Sequence, residues 1–364
     1  MQCAIISLQY KAGGAILASL LPNIFDSQNG TFFSFIMFMI ISFVGGMGSA
    51  SISNIFNISL IYFGILTTTG IILFTKNAEI GMTGLNAAIN MNASSAQNFF
   101  NPIEGHSGIV IFSIVALIIT MVANCTSLQG VVQIGLTSKS DKDAKKGFII
   151  AAIIMVPLGF LCALLGICAK AIYPDLEPAT RALPVIILSL NPLIAGITLA
   201  GLWAADMSTA CSMLIGCSTT VSQDILCKTK LKDSINKNSL IANKLIILGI
   251  GFVTYIISMG QGQILATIKV ALSLSIPCSI VVLGGIWFRE NVSRKSAFYT
   301  IFSGIIVIGA WLIFPIKTQF ADIPVLSVIC NDIAYIMLII CGGVFVISNC
   351  VFKEKVSNLR KIYD

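Results

Sequence analysis

Ten long apolar segments constrain this chain more than any other feature of its sequence. They lie at residues 2–22, 31–48, 50–74, 108–136, 148–172, 193–222, 243–259, 264–288, 297–315 and 325–352. A helix needs about 20 apolar residues to cross the hydrocarbon core of a bilayer. The chain is 56% hydrophobic and 10% charged, whereas soluble domains are about 25% charged. The sequence therefore predicts an all-α integral membrane protein with about ten transmembrane helices.

Basic residues are distributed unevenly between the loops that join these segments. One set of alternate loops, together with the segment from 353, holds 16 of the 22 Lys and Arg residues. The opposite set holds three, which are Lys76, Arg181 and Lys317. Because Lys and Arg in short loops stay cytoplasmic, both termini are predicted to be cytoplasmic. We expect a multi-pass protein of the cell membrane, with one transmembrane domain over 1–352 and a short basic cytoplasmic tail over 353–364.

The sequence does not indicate the chemistry of an enzyme. The net charge of +7 reflects the basic loops beside the apolar segments, so lipid is the expected partner and nucleic acid is not. Most of the 11 cysteines fall in apolar segments, and no CxxC pair or Cys/His cluster predicts a metal site. A nucleotide-binding loop and a Ser/His/Asp set are not recognisable. We expect no enzymatic activity and no organic cofactor.

The stretch at 201–226, GLWAADMSTACSMLIGCSTTVSQDIL, carries many hydroxyl side chains inside an apolar helix. Helical spacing places small and polar residues on one stripe, formed by Ala205, Ser208, Thr209, Ser212, Gly216, Thr219, Thr220 and Gln223. Such a stripe suits close packing between membrane helices. It also supplies oxygen ligands at i, i+3 and i+4, which a sodium ion requires. The spacing alone leaves both interpretations open.

The sequence of this stretch resembles the signature helix of the sodium:solute symporter family, which typically has the pattern A-A-x-M-S-T-x-x-S and ends in D-I. The resemblance implies a sodium site formed by the Ala205 carbonyl and the hydroxyls of Ser208 and Thr209, with Asp224 as the final acid of the motif. Other stretches of the chain also resemble family members and occur in the same order as in them. They are VGGMGSASISN at 44–54, SLQGVVQIGLTSKSDKDAKKG at 127–147, AIYPDL at 171–176 and LNPLIAGITLAGLWAA at 190–205.

The resemblance implies a leucine-transporter-like fold of two inverted five-helix repeats. Aligned on the signature helix, the first segment corresponds to the third core helix, so an N-terminally truncated member that lacks its first two core helices is expected. The implied function is sodium-coupled transport of a small organic solute, with Na⁺ as the coupling ion and no other metal. The alternative is an inactive remnant or a membrane scaffold without transport.

Polar residues inside the apolar segments are candidates for the path of the solute, because such residues either join helices or line a pathway. The fourth segment resembles the broken helix of the family's second repeat, whose polar residues meet substrate. The candidates are Gln9, Asn124, Gln129, Gln133, Asp206 and Lys269. Asn54 stands where family members usually carry an Asp that serves a second cation site in some of them. A second sodium site is therefore not expected.

Overall fold

The computed structural model describes residues 1–44, 47–76, 81–94, 109–136, 138–177, 181–229, 239–260, 264–288, 292–313 and 332–352. The backbone of this part of the chain is almost entirely helical. Its α-helices are α1 (Gln2–Leu20), α2 (Ser27–Val44), α3 (Met47–Phe74), α4 (Gly84–Ser94), α5 (Ile109–Ser127), α6 (Gln129–Leu136), α7 (Asp141–Ile172), α8 (Ala182–Leu188), α9 (Pro192–Thr219), α10 (Ser239–Gly260), α11 (Ile264–Ser273), α12 (Ser275–Trp287), α13 (Arg294–Ile313) and α14 (Ile333–Val351).

Each of the ten predicted spans contains described helix, and the short helices α4 and α8 lie between spans. Within the described residues, eight helical stretches are long and apolar enough to cross a membrane. The second and fourth predicted spans coincide with the shorter apolar helices Ser27–Phe43 and Ile111–Ser127. The prediction of an all-α multi-pass membrane protein with about ten transmembrane helices is confirmed.

Helix α7 begins in the charged stretch that precedes the apolar segment 148–172. Ser140 caps its first turn by accepting a hydrogen bond of 3.2 Å from the Asp143 backbone N–H. Asp141 and Asp143 complement the positive end of the helix dipole. The helix has 32 residues and so spans about 48 Å, whereas the hydrocarbon core is about 30 Å thick. The polar first turns of α7 therefore extend beyond the apolar part that crosses the membrane.

The chain divides into two compact units. The first unit contains Gln2–Asn101 and Ser138–Ile264, which hold α1 to α4 and α7 to α10. The second unit contains Met1, Pro102–Thr137 and Leu265–Asp364, which hold α5, α6 and most of α11 to α14. The single domain over 1–352 stays a prediction, and the basic tail over 353–364 lies outside the described residues.

Small residues allow the helices of the first unit to pack closely. A Cβ added at Gly14 of α1 would lie 2.5 Å from the Thr31 backbone nitrogen of α2, and one at Gly30 would lie 2.7 Å from the Gly14 carbonyl oxygen. Beside this contact, the buried Tyr10 ring lies 5.9 Å from the Phe38 ring. Helices α1 and α2 thus form a fixed support against which α9 packs.

In the second unit, the eighth predicted span is divided at Leu274 into α11 and α12. Pro277 accounts for this break, because it has no N–H to donate to the carbonyl of Ser273 and its ring clashes with that carbonyl in a continuous helix. The proline itself lies in the first turn of α12, where a missing N–H costs little. A single residue, Leu274, thus separates α11 from α12, and the stretch Ile268–Trp287 that contains it is still long and apolar enough to cross a membrane.

Candidate functional site

Helix α9 brings together the three oxygen atoms that the family resemblance predicts as sodium ligands. The hydroxyl groups of Ser208 and Thr209 each donate a hydrogen bond of 3.0 Å to the carbonyl oxygen of Ala205. Both side chains are half-buried. A hydroxyl group carries two lone pairs in addition to its proton, so each oxygen can still coordinate a cation. One turn of α9 therefore presents a cluster of hard oxygen atoms.

The other hydroxyls of the stripe also bond to their own helix. Ser212 donates to the Ser208 carbonyl at 2.8 Å, and Thr219 donates to the Gly216 carbonyl at 2.8 Å. Back-bonding of this kind is what the packing interpretation predicts, and it is equally compatible with ligation by the lone pairs. From Thr220 the chain forms a π-helical turn. The α-helical wheel therefore does not describe Gln223, which is exposed.

Helices α3 and α9 run antiparallel in a close contact that defines their register. A Cβ at Gly64 would lie 2.6 Å from Thr198 Oγ1, and a Cβ at Gly201 would lie 3.3 Å from Leu60 Cβ. One turn further along, the buried Asn57 side chain donates a long hydrogen bond of 3.4 Å from Nδ2 to the Ala204 carbonyl oxygen. Residues earlier in α3 thus contact residues later in α9. The contact between the two helices therefore extends along α9 towards the oxygen cluster.

This register places Asn54 of α3 opposite Met207 and Ser208. Asn54 lies three residues before Asn57, and Ser208 lies four residues after Ala204, so each pair shares a helix face. The Asn54 Oδ1 atom is buried and has no hydrogen-bond partner within the described residues. A buried amide oxygen without a partner is costly in an apolar environment unless another group satisfies it. The two amides were not predicted as ligands, although two Asn residues at i and i+3 in an apolar segment were a usable signal.

Gln9 and Asp206 are the solute-pathway candidates in the first unit, and both are half-buried. Asp206 directly follows Ala205 in α9, and its carboxylate has no hydrogen bond or ion pair within the described part of the chain. Gln9 belongs to α1, which packs against α9. Asp206 therefore stays a candidate on α9 itself, and Gln9 stays a candidate on a neighbouring helix.

Asn124, Gln129 and Gln133 belong to the second unit, where the predicted break of the fourth span occurs at Leu128 between α5 and α6. Beside the break, Thr126 Oγ1 lies 2.6 Å from Ser279 Oγ of α12. The Asn124 Oδ1 atom is buried and has no hydrogen-bond partner among the described residues. Gln129 begins α6, and the side chain of Gln133 lies outside the described part of the structure.

Lys269 has a partner that the sequence did not reveal. Its ammonium group lies 2.9 Å from Oδ2 of Asp332, whose side chain is 6% exposed. Asp332 also caps α14, because Oδ1 accepts a hydrogen bond from the Ala334 backbone N–H at 3.4 Å. The Lys269 charge is therefore neutralised inside the second unit and ties α11 to the start of α14. Its place on a solute pathway stays a prediction.

Solved structures identify the fold. A Na⁺-coupled sialic acid symporter in a substrate-bound, outward-open state matches with a TM-score of 0.62 and 18% sequence identity. The match covers 97% of this chain and 74% of that chain. At this identity the likeness shows the fold alone, which is the leucine-transporter-like fold that the resemblance implied. The absence of two core helices stays a prediction.

Sequence comparisons identify the family. The sodium/pantothenate symporter of Haemophilus influenzae is 24% identical over 205 residues, which are 55% of this chain and 40% of the relative. The alignment thus covers less than half of the relative's length. The family model of the sodium:solute symporters matches residues 3–304, which is most of the 364 residues. The chain belongs to the sodium:solute symporter family.

Proposed function

We propose that this protein is a sodium-coupled symporter of a small organic solute and that α9 provides one wall of its sodium site. The observation that carries the proposal is the convergence of the Ser208 and Thr209 hydroxyls on the Ala205 carbonyl, each at 3.0 Å. Membership of a family of sodium:solute symporters supports sodium as the coupling ion. The two related proteins, a sodium/pantothenate symporter and a Na⁺-coupled sialic acid symporter, support an organic solute.

The environment of the cluster suits a monovalent cation. Its ligands are neutral oxygen atoms, which replace the hydration shell of a hard cation without burying a high negative charge. Asn54 Oδ1, buried and without a partner among the described residues, adds a further neutral oxygen at the level of Ser208. We propose one sodium ion here, because Asn54 brings no negative charge that would favour a second.

The solute is proposed to contact the broken span of the second unit. Asn124 lies in the last turn of α5, one turn before the break, and its buried Oδ1 has no hydrogen-bond partner in the described part of the chain. An amide side chain both donates and accepts hydrogen bonds, so it suits a solute with carboxyl, hydroxyl or amide groups. Pantothenate and sialic acid, the solutes of the related symporters, both carry such groups. They are the first solutes to test in uptake assays.

We propose a location in the cell membrane with both termini in the cytoplasm. The support is the excess of basic residues in one set of alternate loops, 16 against three. Reporter fusions within 137–147 and after 352 test the orientation. A reporter after 352 that is active on the outer side would contradict it.

Sodium binding is best tested on α9 itself. Purified protein in liposomes is titrated with NaCl at constant ionic strength, and binding is followed by tryptophan fluorescence. Trp203 is a suitable reporter, because it lies two residues before Ala205 and its indole N–H donates to Ser34 Oγ at 3.4 Å. Ser208→Ala and Thr209→Ala are each expected to lower sodium affinity tenfold or more, which corresponds to about 1.4 kcal/mol. Each variant removes one hard ligand.

Two control variants separate ligation from packing. Thr209→Ser keeps the oxygen and is expected to bind sodium nearly as the wild type does. Ser212→Ala removes an exposed hydroxyl with the same kind of back-bond, 2.8 Å to the Ser208 carbonyl, and is expected to change little. If all three Ala variants bind sodium equally well, the hydroxyls serve packing alone. A wild-type protein that shows neither sodium binding nor uptake would favour the scaffold alternative.

A further inference from the structure

A groove on the surface of the second unit is not used by the proposed transport function. It lies between α13 and α14 and has a volume of about 370 Å³. Aromatic and aliphatic side chains form most of its lining, including Tyr299, Phe302, Ile306, Val344, Ile347 and Phe352. Ile306 and Ile347 are 56% and 66% exposed. Side chains of this type at such exposure face lipid in a membrane protein.

The groove is preformed, since polar contacts hold its two helices together. The Ser296 hydroxyl of α13 lies 2.8 Å from the Ser348 hydroxyl of α14, and the Ser293 backbone N–H donates to Asn349 Oδ1 at 3.1 Å. The Ser303 hydroxyl, which also lines the groove, donates to the Thr300 carbonyl at 2.8 Å. These hydroxyls are already satisfied within the helices. The surface that remains is apolar and suits a hydrocarbon chain.

One end of the groove is basic. Tyr299 and Phe352 stack there with ring centroids 5.6 Å apart, and the Lys295 ammonium group lies 5.3 Å from the Phe352 ring centroid. Arg294 and Lys295 begin α13, and the first turn of this helix holds no acidic residue. In sequence, residues 289–296 and 353–364 together hold seven basic and three acidic residues. From Tyr299 to Ile306 the groove follows α13 for about 10 Å away from this basic end.

We propose that this groove binds an anionic phospholipid, with one acyl chain along α13 and α14 and the phosphate group beside Lys295. The acyl chain gives little selectivity, because a lipid tail is equally well solvated by the surrounding bilayer. The charge of the head group is therefore what distinguishes one phospholipid from another at this site. Basic residues at the cytoplasmic surface attract anionic lipid, and basic pockets between transmembrane helices hold anionic head groups. In the proposed orientation, the Lys295 end of the groove faces the cytoplasmic leaflet.

Native mass spectrometry of the detergent-purified full chain tests the proposal. Dioleoyl phosphatidylglycerol is added as the anionic probe and dioleoyl phosphatidylcholine as the neutral one. Wild-type protein is expected to retain the anionic lipid several-fold better. Lys295→Gln should weaken its retention about fivefold, which corresponds to about 1 kcal/mol for one basic residue. Ile347→Trp should reduce retention by filling the groove.

Each variant has a matched control. Lys244→Gln removes a lysine in a similar contact, with its ammonium group 4.5 Å from the Phe43 ring centroid, and is expected to leave retention unchanged. Ile339→Trp places the same bulk on α14 outside the groove, at a residue that is 58% exposed. Equal retention of both lipids by the wild type would overturn the proposal, as would equal losses in a variant and its control. A dimer that Ile347→Trp abolishes would make the groove a contact between two copies and would also overturn it.

Discussion

Replacement of Gly64 by alanine tests whether the contact between α3 and α9 sets the geometry of the oxygen cluster. A Cβ at this position would lie 2.6 Å from Oγ1, 2.7 Å from Cγ2 and 2.9 Å from Cβ of Thr198. Thr198 is fully buried, and its hydroxyl bonds to the Ile194 carbonyl at 2.8 Å. The side chain therefore has no free space to move into. The two helices must separate by several tenths of an ångström or more.

The matched control is Gly70→Ala on the same helix, where an added Cβ meets nothing within 4 Å. Both variants gain the same helix propensity, about 1 kcal/mol in favour of alanine. Only Gly64→Ala adds the cost of overpacking, about 1–3 kcal/mol. The difference in free energy of unfolding between the two variants is therefore expected to be about 1–3 kcal/mol, with Gly64→Ala the less stable. Reversible unfolding in mixed micelles measures this difference.

Sodium affinity provides the second measurement on the same variants. Asn57 lies two turns from Gly64, and its 3.4 Å hydrogen bond to the Ala204 carbonyl is already long. Separation of the helices is expected to break this bond, to move Asn54 away from Ser208 and to lower sodium affinity. Thr198→Ala removes the two closest atoms and should partly restore both stability and affinity in the double variant. Equal stability of Gly64→Ala and Gly70→Ala would refute the proposed register of α3 on α9.

Two further predictions concern the second unit. Lys269→Met should lower the free energy of unfolding by about 3 kcal/mol, because it leaves the buried Asp332 carboxylate, 6% exposed, unpaired. Asp332→Asn should cost less, because the Lys269 side chain is 27% exposed and water partly solvates its charge. A double-mutant cycle should show a smaller cost for the double variant than for the sum, and an additive result would contradict the ion pair. In uptake assays, Gln129→Ala should change apparent solute affinity more than Gln223→Ala, whose site is exposed on the π-helical turn; equal effects would remove the fourth span from the solute pathway.

The helical spans and the oxygen cluster could be predicted from the sequence because both are local properties. Hydropathy over about 20 residues locates a membrane helix, and the helical period alone brings Ser208 and Thr209 to one carbonyl of their own helix. The family resemblance also predicted a break in the fourth span, which the structure locates at Leu128. What this stretch of α9 binds still depends on the elements that pack against it.

Only the tertiary structure decided which distant residues meet. Lys269 and Asp332 lie 63 positions apart, and their pairing requires the placement of α11 beside the start of α14. Asn54 is aligned with Ser208 because α3 packs on α9 in one register. That register is defined at Gly64, where the absence of a side chain leaves room for Thr198. A hydrophobic period shows which face of a membrane helix is small or polar. It does not show which helix covers that face or how far the two are shifted, because those depend on close contacts between segments far apart in the chain.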